Sequence, residues 1–463
     1  MVEAATETLV EVTPRQARCT LIASILGSSI VFLDSTVVNV ALPAIQNDLG
    51  GGLAAQQWIV DAYLLTLGSL ILVGGSLGDI FGERRIFALG VAAFGVASLL
   101  CAVAPDSTAL IVFRGVQGVA GALLTPASLA LLTATFSGAE RGAAIGTWTA
   151  WSGISFVAGP LLGGWLIDVW TWRAIFLINV PIALATLAVV AVGLPRGYTG
   201  RPGVRVDYRG AVLCAVGLGA LVYALIEQPR LGWSAAVVGG LAGGAACLAA
   251  FVVHEARTAQ PMLPLRLFAK RNFSAANLET FAVYGALSAW SFLLILFLQE
   301  LSGWSPLQAG VAIIPVTVMM FLLSRYAGKL SMRWGPRWFM ACGPLVAAVA
   351  ALPLLRLPVH VSYVTDLLPS TIGFGVGLAL TVAPLTTTVL SDAGPGDAGI
   401  ASGVNNAVAR VAGLVAVAVI GVVAAGAGND LTASGFHASM LVVTTLLVAG
   451  AAIGAIGVRN RHV

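Results

Sequence analysis

Phe32-Leu33-Asp34-Ser35-Thr36-Val37-Val38-Asn39-Val40-Ala41-Leu42-Pro43 closes the first long apolar segment and places a carboxylate inside a run that otherwise reads as membrane-spanning. An ionisable group at bilayer depth costs at least about 2.5–3.5 kcal/mol on insertion scales, so such groups are usually paired and functional. The alternative is an acid near a helix end that reaches water. Asp34 lies about 12 Å from the Pro43 end at 1.5 Å per residue, too deep for its short side chain to reach out comfortably. The stretch therefore predicts a helical membrane protein and a site built around Asp34.

The totals agree with the first expectation. The 463 residues are 58% hydrophobic and only 10% charged, where a soluble domain carries roughly 25% charged residues. The net charge of +4 calls for no nucleic acid, because basic residues gather on cytoplasmic loops of membrane proteins. Cys19, Cys101, Cys214, Cys247 and Cys342 lie far apart without metal-ligand spacing, and His254, His360, His437 and His462 fall in loops or at span ends. Neither set predicts a metal. No GxxxxGK[ST] loop is present, so ATP is not the expected energy source. No nucleophile-and-base arrangement falls at membrane depth, so an enzyme is not expected. The apolar run after the polar first twenty residues is too long for a signal-peptide core and lacks a cleavage site.

Runs of about twenty apolar residues number fourteen: 18–42, 55–77, 86–104, 108–134, 141–166, 173–194, 210–227, 234–253, 272–299, 306–328, 337–356, 365–390, 397–425 and 436–457. Even parity puts both termini on one side. Arg84, Arg85, Arg196, Arg201, Arg205, Arg209, Arg257, Arg266, Lys270, Arg271, Lys329, Arg333 and Arg337 fall on that side, against Arg173, Arg230 and Arg356 opposite. The termini are expected in the cytoplasm. The Ala-, Gly- and Arg-rich, Lys-poor chain suggests the plasma membrane of a bacterium.

Gly75-x-Leu77-x-x-x-x-Gly82 recurs as Gly328-x-Leu330-x-x-x-x-Gly335, and Gly142-x-Ala144-x-Gly146 as Gly399-x-Ala401-x-Gly403, at offsets near 255 residues. Spans 1–6 thus match spans 9–14, as parallel six-span repeats with a midplane site at their interface would. The expected units are a six-helix bundle over 1–195, two inserted spans over 196–271 and a second six-helix bundle over 272–463. The inserted spans carry almost no buried polar residue and read as lipid-facing.

At this point the chain resembles the fourteen-span drug:proton antiporters of the major facilitator superfamily over nearly its whole length. Leu33-Asp34-x-Thr36-x-Val38-Asn39-x-Ala41-Leu42-Pro43 is similar to that family's first-span motif. Gly75-Ser-Leu77-Gly78-Asp79-Ile-Phe-Gly82-Glu83-Arg84-Arg85 resembles the superfamily's loop between spans 2 and 3, without the basic residues common at Ile80 and Glu83. Its second copy carries Met332 where the first has Asp79. Arg114-Gly-Val-Gln117-Gly118 resembles the fourth-span motif, and Gly159-Pro160-x-x-Gly163-Gly164 the fifth-span motif associated with antiporters. Trp172-Arg173-x-Ile-Phe-Leu-Ile-Asn179-Val-Pro181 and Gly399-Ile-Ala-Ser-Gly403-Val-Asn405-Asn406 also look like this family. The resemblance implies proton-driven multidrug efflux by alternating access, with protons, lipid and a small amphipathic molecule as partners, one chain sufficing, and no cofactor. Export of an endogenous metabolite or lipid is the alternative. Nutrient symport and a non-transporting receptor are further ones. Span 13 reads Ala409-Arg410 where the family often has Arg-Gln, and one residue turns a helical side chain by about 100°. Arg410 is then free to face elsewhere than the family's arginine.

Three ionisable residues lie in one slab of the first repeat: Asp34, Asp61 and Arg114. Proton coupling needs a carboxylate whose counter-charge comes and goes, and movement of Arg114 relative to Asp34 would supply that. A static salt bridge tying spans 1 and 4 is the alternative. Asp61, between Trp58 and Tyr63, is expected near the interface within reach of water. The resemblance makes Asp79 a latch on the positive N-terminus of span 13, with Arg84, Arg85 or Arg141 completing the charges; a solvated loop acid is the alternative. Ser155, Gly159 and Gly163 recur every four residues, which permits close helix approach, and Pro160 and Gly164 add to an interface that seals, flexes or simply packs. Asn39, Gln117, Asn405, Asn406 and Arg410 are expected on the cavity wall. Glu279 is expected there too, unless it snorkels to the cytoplasm. Trp148, Trp151, Phe156, Tyr284, Trp290 and Phe292 would supply aromatic surface for flat cations or other amphipathic compounds. The shortage of cavity carboxylates in the second half favours neutral or anionic cargo.

Overall fold

The computed structural model describes residues 13–194, 205–393, 397–424 and 430–460, with the side chains of residues 139, 156, 157 and 398 left out. Arg196, Arg201, His462 and the 195/196 boundary lie outside the described residues. Among the described residues, fourteen helices are long and apolar enough to cross a membrane: α1 (Pro14–Leu49), α2 (Gly52–Phe81), α3 (Glu83–Ala102), α4 (Ser107–Thr135), α5 (Glu140–Val169), α6 (Ala174–Gly193), α7 (Tyr208–Leu231), α8 (Ala235–Arg257), α9 (Arg271–Leu301), α10 (Pro306–Trp334), α11 (Pro336–Arg356), α12 (Tyr363–Ala393), α13 (Gly399–Ala424) and α14 (Ala433–Gly457). A bilayer demands this economy, since each helix satisfies its own backbone polar groups. The ends are satisfied locally. Thr13 and Gln16 form a capping box on α1, Ser305 and Gln308 another on α10, and Asp106 and Asp207 cap α4 and α7.

The helices outrun their apolar windows, because hydropathy marks the hydrocarbon crossing and not the helix end. The clearest case is α1, which continues through Pro43 to Leu49 at the expense of one backbone hydrogen bond.

The two sequence repeats pair their helices alike. In the first, α4 packs on α2 and α3, and α1 on α5; in the second, α12 packs on α10 and α11, and α9 on α13. Gly82 and Gly335, at matching turns, have φ of 91° and 84°, a conformation that any side chain would strain. Small residues set the closest approaches, with Gly74 seated on the Ala122 carbonyl and Gly118 on that of Tyr63. This is the packing expected where lipid removes the hydrophobic drive between helices.

The inserted helices are not uniformly lipid-facing. Exposure dominates α8, but α7 lies across the seam between the halves, where Leu218, Val222 and Ile226 pack with Ala54 of α2 and Leu414 and Ala418 of α13. Two polar groups of the pair are also engaged. Trp58 Nε1 donates to Glu227 at 3.3 Å, and Glu255, only 2% exposed, accepts from the Leu263 amide at 2.8 Å. An apolar average over a span hides single polar residues that packing turns inward.

One end of the molecule carries the start of α1 and the close of α14, and there Asp79, Arg141 and Gly399 line the cavity between the halves; the halves meet again at the opposite, far end. At the far end Pro160 and Gly164 of α5 lie directly against Gly310 and Leu307 of α10. Gln299 donates to the Val40 carbonyl at 2.9 Å, Gln56 to Glu300 at 2.6 Å, and Ser305 to Asp168 at 3.1 Å.

Candidate functional site

Asp34 is the hub of a dry polar network. Its carboxylate accepts from Arg114 Nη1 at 2.5 Å, from Gln117 Nε2 at 2.9 Å and from Asn179 Nδ2 at 3.0 Å. Asp34 is 0% exposed and Arg114 1%. Gln117 and Asn179 also donate to Ser98 Oγ, at 2.9 and 3.3 Å, so α1, α3, α4 and α6 converge on one point. The chemistry follows from desolvation. A buried charge is tolerated when paired and hydrogen-bonded, and charge-assisted bonds are the stronger kind. Arg114 holds two further acceptors, the Ile59 carbonyl at 3.1 Å and Gln117 Oε1 at 2.6 Å, and lies 4.3 Å from the centre of the Tyr63 ring. It therefore keeps partners whether Asp34 is charged or neutral. That is what a site that loads and unloads a proton needs.

Beside the network is a cavity of about 2380 Å³ between the halves. Arg114 and Tyr63 belong to both: they join the network, and they reach the cavity lining. Asp34 faces away from the lining, into the bundle. Of the expected wall residues, Asn39, Trp148, Trp290, Asn405, Asn406 and Arg410 line the cavity, as do Tyr284 and Phe292. Trp148 also donates to Ser28 Oγ at 2.9 Å, and Ser28 to Ser128 at 2.9 Å, tying α5 to α1 and α4. Trp290 stacks on Phe374 with ring centres 4.5 Å apart. Asn405 donates to Thr280 Oγ1 at 2.7 Å and to Asn277 Oδ1 at 3.2 Å.

Four expectations fail. Gln117 is absent from the lining, because its amide is consumed by Asp34 and Ser98. Trp151 is absent from the lining and is 50% exposed. Glu279 neither lines the cavity nor reaches water: it is 0% exposed and neither carboxylate oxygen has a partner. Asp61 is not within reach of water, nor does it hydrogen-bond to Asp34 or Arg114; it too is 0% exposed with both oxygens unpartnered. In each case the direction around the helix is set by packing. The side chain of Phe156 lies outside the described residues.

Asp79 lines the cavity mouth at the terminal end, where Gly399 and Ile400 at the start of α13 also line it. Arg84 donates to the Val190 carbonyl at 3.1 Å, Arg141 to that of Phe136 at 2.8 Å, and Arg85 is exposed. On α5, Gly159 and Gly163 rest against Thr36 and Val37 of α1, where a side chain would collide. Ser155 donates to Ser29 at 2.8 Å.

Sequence reasoning missed Ser98 and Asn179 as members of the network and Arg325 as a lining residue. Asn179 stood in a quoted motif, and a polar residue six positions past Arg173 in an apolar span was its available signal. Ser98 offered none.

A model of the Major Facilitator Superfamily matches residues 24–417. The tetracenomycin C resistance and export protein of Streptomyces glaucescens is 36% identical over 418 residues, covering 89% of this chain and 77% of that protein. The puromycin resistance protein pur8 of Streptomyces alboniger is 38% identical over 417 residues, covering 88% and 82%. Among solved structures, a bacterial homologue of the human lysosomal transporter Spinster, in an inward-facing and unoccupied conformation, matches with a TM-score of 0.69 and 17% identity, over 96% of this chain and 97% of that one. That likeness is one of fold.

Proposed function

The chain belongs to the major facilitator superfamily, and from that premise we propose that it exports small amphipathic compounds from a bacterial cell, as in drug efflux, by exchange against inward-moving protons. Relatives with resistance and export in their names, at 36% and 38% identity over most of their length, support the export direction. The observation that carries the proton step is the dry Asp34–Arg114 pair whose arginine keeps other acceptors and also reaches the cavity.

In this mechanism the terminal end is cytoplasmic, where the basic loops lie, and the open cavity takes up its cargo from that side. Asp34 is then ionised and paired with Arg114. The far-end contacts between α5 and α10 and between Gln56 and Glu300 release, and Asp79 closes on the N-terminus of α13. Proton uptake at Asp34 from outside loosens its hold on Arg114 and, through Arg114 and Tyr63, the cavity wall. Cargo leaves, and the return step carries the proton inward. One charge crossing 100 mV supplies about 2.3 kcal/mol. Both gates and the cavity come from one chain, so a monomer suffices, and the proton gradient serves in place of a cofactor. Asp61 would be the next carboxylate to carry a proton.

The test is substrate-induced proton release from the detergent-solubilised protein, with ethidium and fluorescein as probes. Asp34→Asn keeps the size of the side chain and removes titration, so proton release and uphill export should disappear while the protein stays folded. Equal release by wild type and Asp34→Asn would place the coupling elsewhere.

A further inference from the structure

We propose that the cavity selects flat aromatic compounds bearing an anionic group (a phenolate, carboxylate or sulfonate), with Arg410 as their counter-charge. This rests on the efflux reading and narrows its substrate class.

Arg410 lies near the middle of α13 and lines the cavity, its Cβ close against Gly68 of α2. Its guanidinium is 5.9 Å from the centre of the Phe32 ring, and Tyr63 and Tyr284 line the same cavity. Among the described residues no carboxylate pairs with it, in contrast to Arg114, Arg173 and Arg266. Three acids line the cavity, Asp79, Glu83 and Asp207, and all stand at the terminal-end mouth. The remaining acids of the membrane interior are Asp34, already spent on Arg114, and Asp61 and Glu279, which do not reach the lining. Arg325 of α10 adds a further cation to the wall. A partly desolvated cation with no partner favours an anion over a second cation by simple Coulomb attraction, strengthened by the low dielectric of the walls. An arginine also stacks on aromatic faces while its fork of donors binds planar oxyanions. A flat aromatic anion satisfies both properties, and the carboxamides of Asn39 and Asn406 on the same lining can serve its neutral oxygens.

Fluorescein and ethidium are flat, fluorescent and opposite in charge, so they separate the possibilities in one assay. Purified protein should bind fluorescein about tenfold or more tightly than ethidium, a difference of about 1.4 kcal/mol or more. Arg410→Gln should remove most of that preference, Arg410→Glu should invert it, and Arg325→Gln should reduce it by a smaller factor. Competition between the two dyes on wild-type protein gives the same ranking if the Arg410 variants fail to fold. Ethidium bound as tightly as fluorescein by wild type, or an Arg410→Gln protein with the wild-type preference, would overturn the proposal. In proteoliposomes with a pH gradient, movement of ethidium without fluorescein leaves efflux standing and removes the anion selectivity. Movement of neither removes both.

Discussion

Asp34 and Glu279 stand in the first helices of the two repeats, and both are wholly buried, yet their surroundings are opposite. Asp34 accepts from Arg114, Gln117 and Asn179, donors drawn from α4 and α6. Neither oxygen of Glu279 has a partner. Its neighbours on α9, Asn277 and Thr280, pair with Asn405 of α13, leaving Glu279 to another face of the helix. The repeat has copied which helices pack together and has not copied the charges. One half holds a compensated ion pair that meets the cavity only through Arg114. The other presents an uncompensated cation, Arg410, to it. A transporter with one titrating half and one cargo-recognising half would be built this way.

The comparison is broken most directly at Arg114. Arg114→Ala leaves Asp34 buried without its counter-charge, which should lower stability by about 3–5 kcal/mol and abolish uphill export. Thermal unfolding in detergent measures the first effect. The double variant Asp34→Asn with Arg114→Ala should recover much of the lost stability, because no charge is then left behind. An Arg114→Ala protein that melts with wild type would mean that the pair does not hold the four helices together.

Glu279 sharpens the contrast from the other side. Glu279→Gln removes no hydrogen bond, so stability should change by no more than about 1 kcal/mol. Export measured in the same vesicles should stay within a factor of about two. Loss of export as complete as in Asp34→Asn would make the two halves functionally alike and end the distinction.

The smallest effect is expected where the same Arg–Asp chemistry meets water. Arg266 and Asp397 form a two-pronged pair at 2.8 and 2.6 Å on the terminal-end surface. The hydrogen bonds from Arg266 hold the Asp397 carboxyl below its ordinary value of 3.8, against a smaller opposing cost of desolvation. A lowered value means the contribution is fully present above about 3.8 and is lost as pH falls through the lowered one. Arg266→Gln should therefore reduce the melting temperature slightly at about pH 5 to 8, and by progressively less as pH falls below about 3.8. A loss at neutral pH matching that of Arg114→Ala would show that burial is not what separates the two pairs.

Hydropathy, charge and repeated glycines are properties of position along the chain, and they determined what depends only on position. The fourteen helices, the pairing of the halves, the placing of Asp34 and Arg114 within long apolar helices and the glycine turns at Gly82 and Gly335 follow from them, because in a bilayer each segment must satisfy its own backbone. Direction around a helix is a different quantity, turning by about 100° per residue and settled by which neighbours pack against which face. Only the tertiary structure could decide that Gln117 serves Asp34 and not the cavity, that Trp151 stays off the lining and that Asp61 and Glu279 are sealed in. The same packing brought Ser98 and Asn179 from two other helices to Asp34, and aimed Arg410 at the cavity with no acid to meet it.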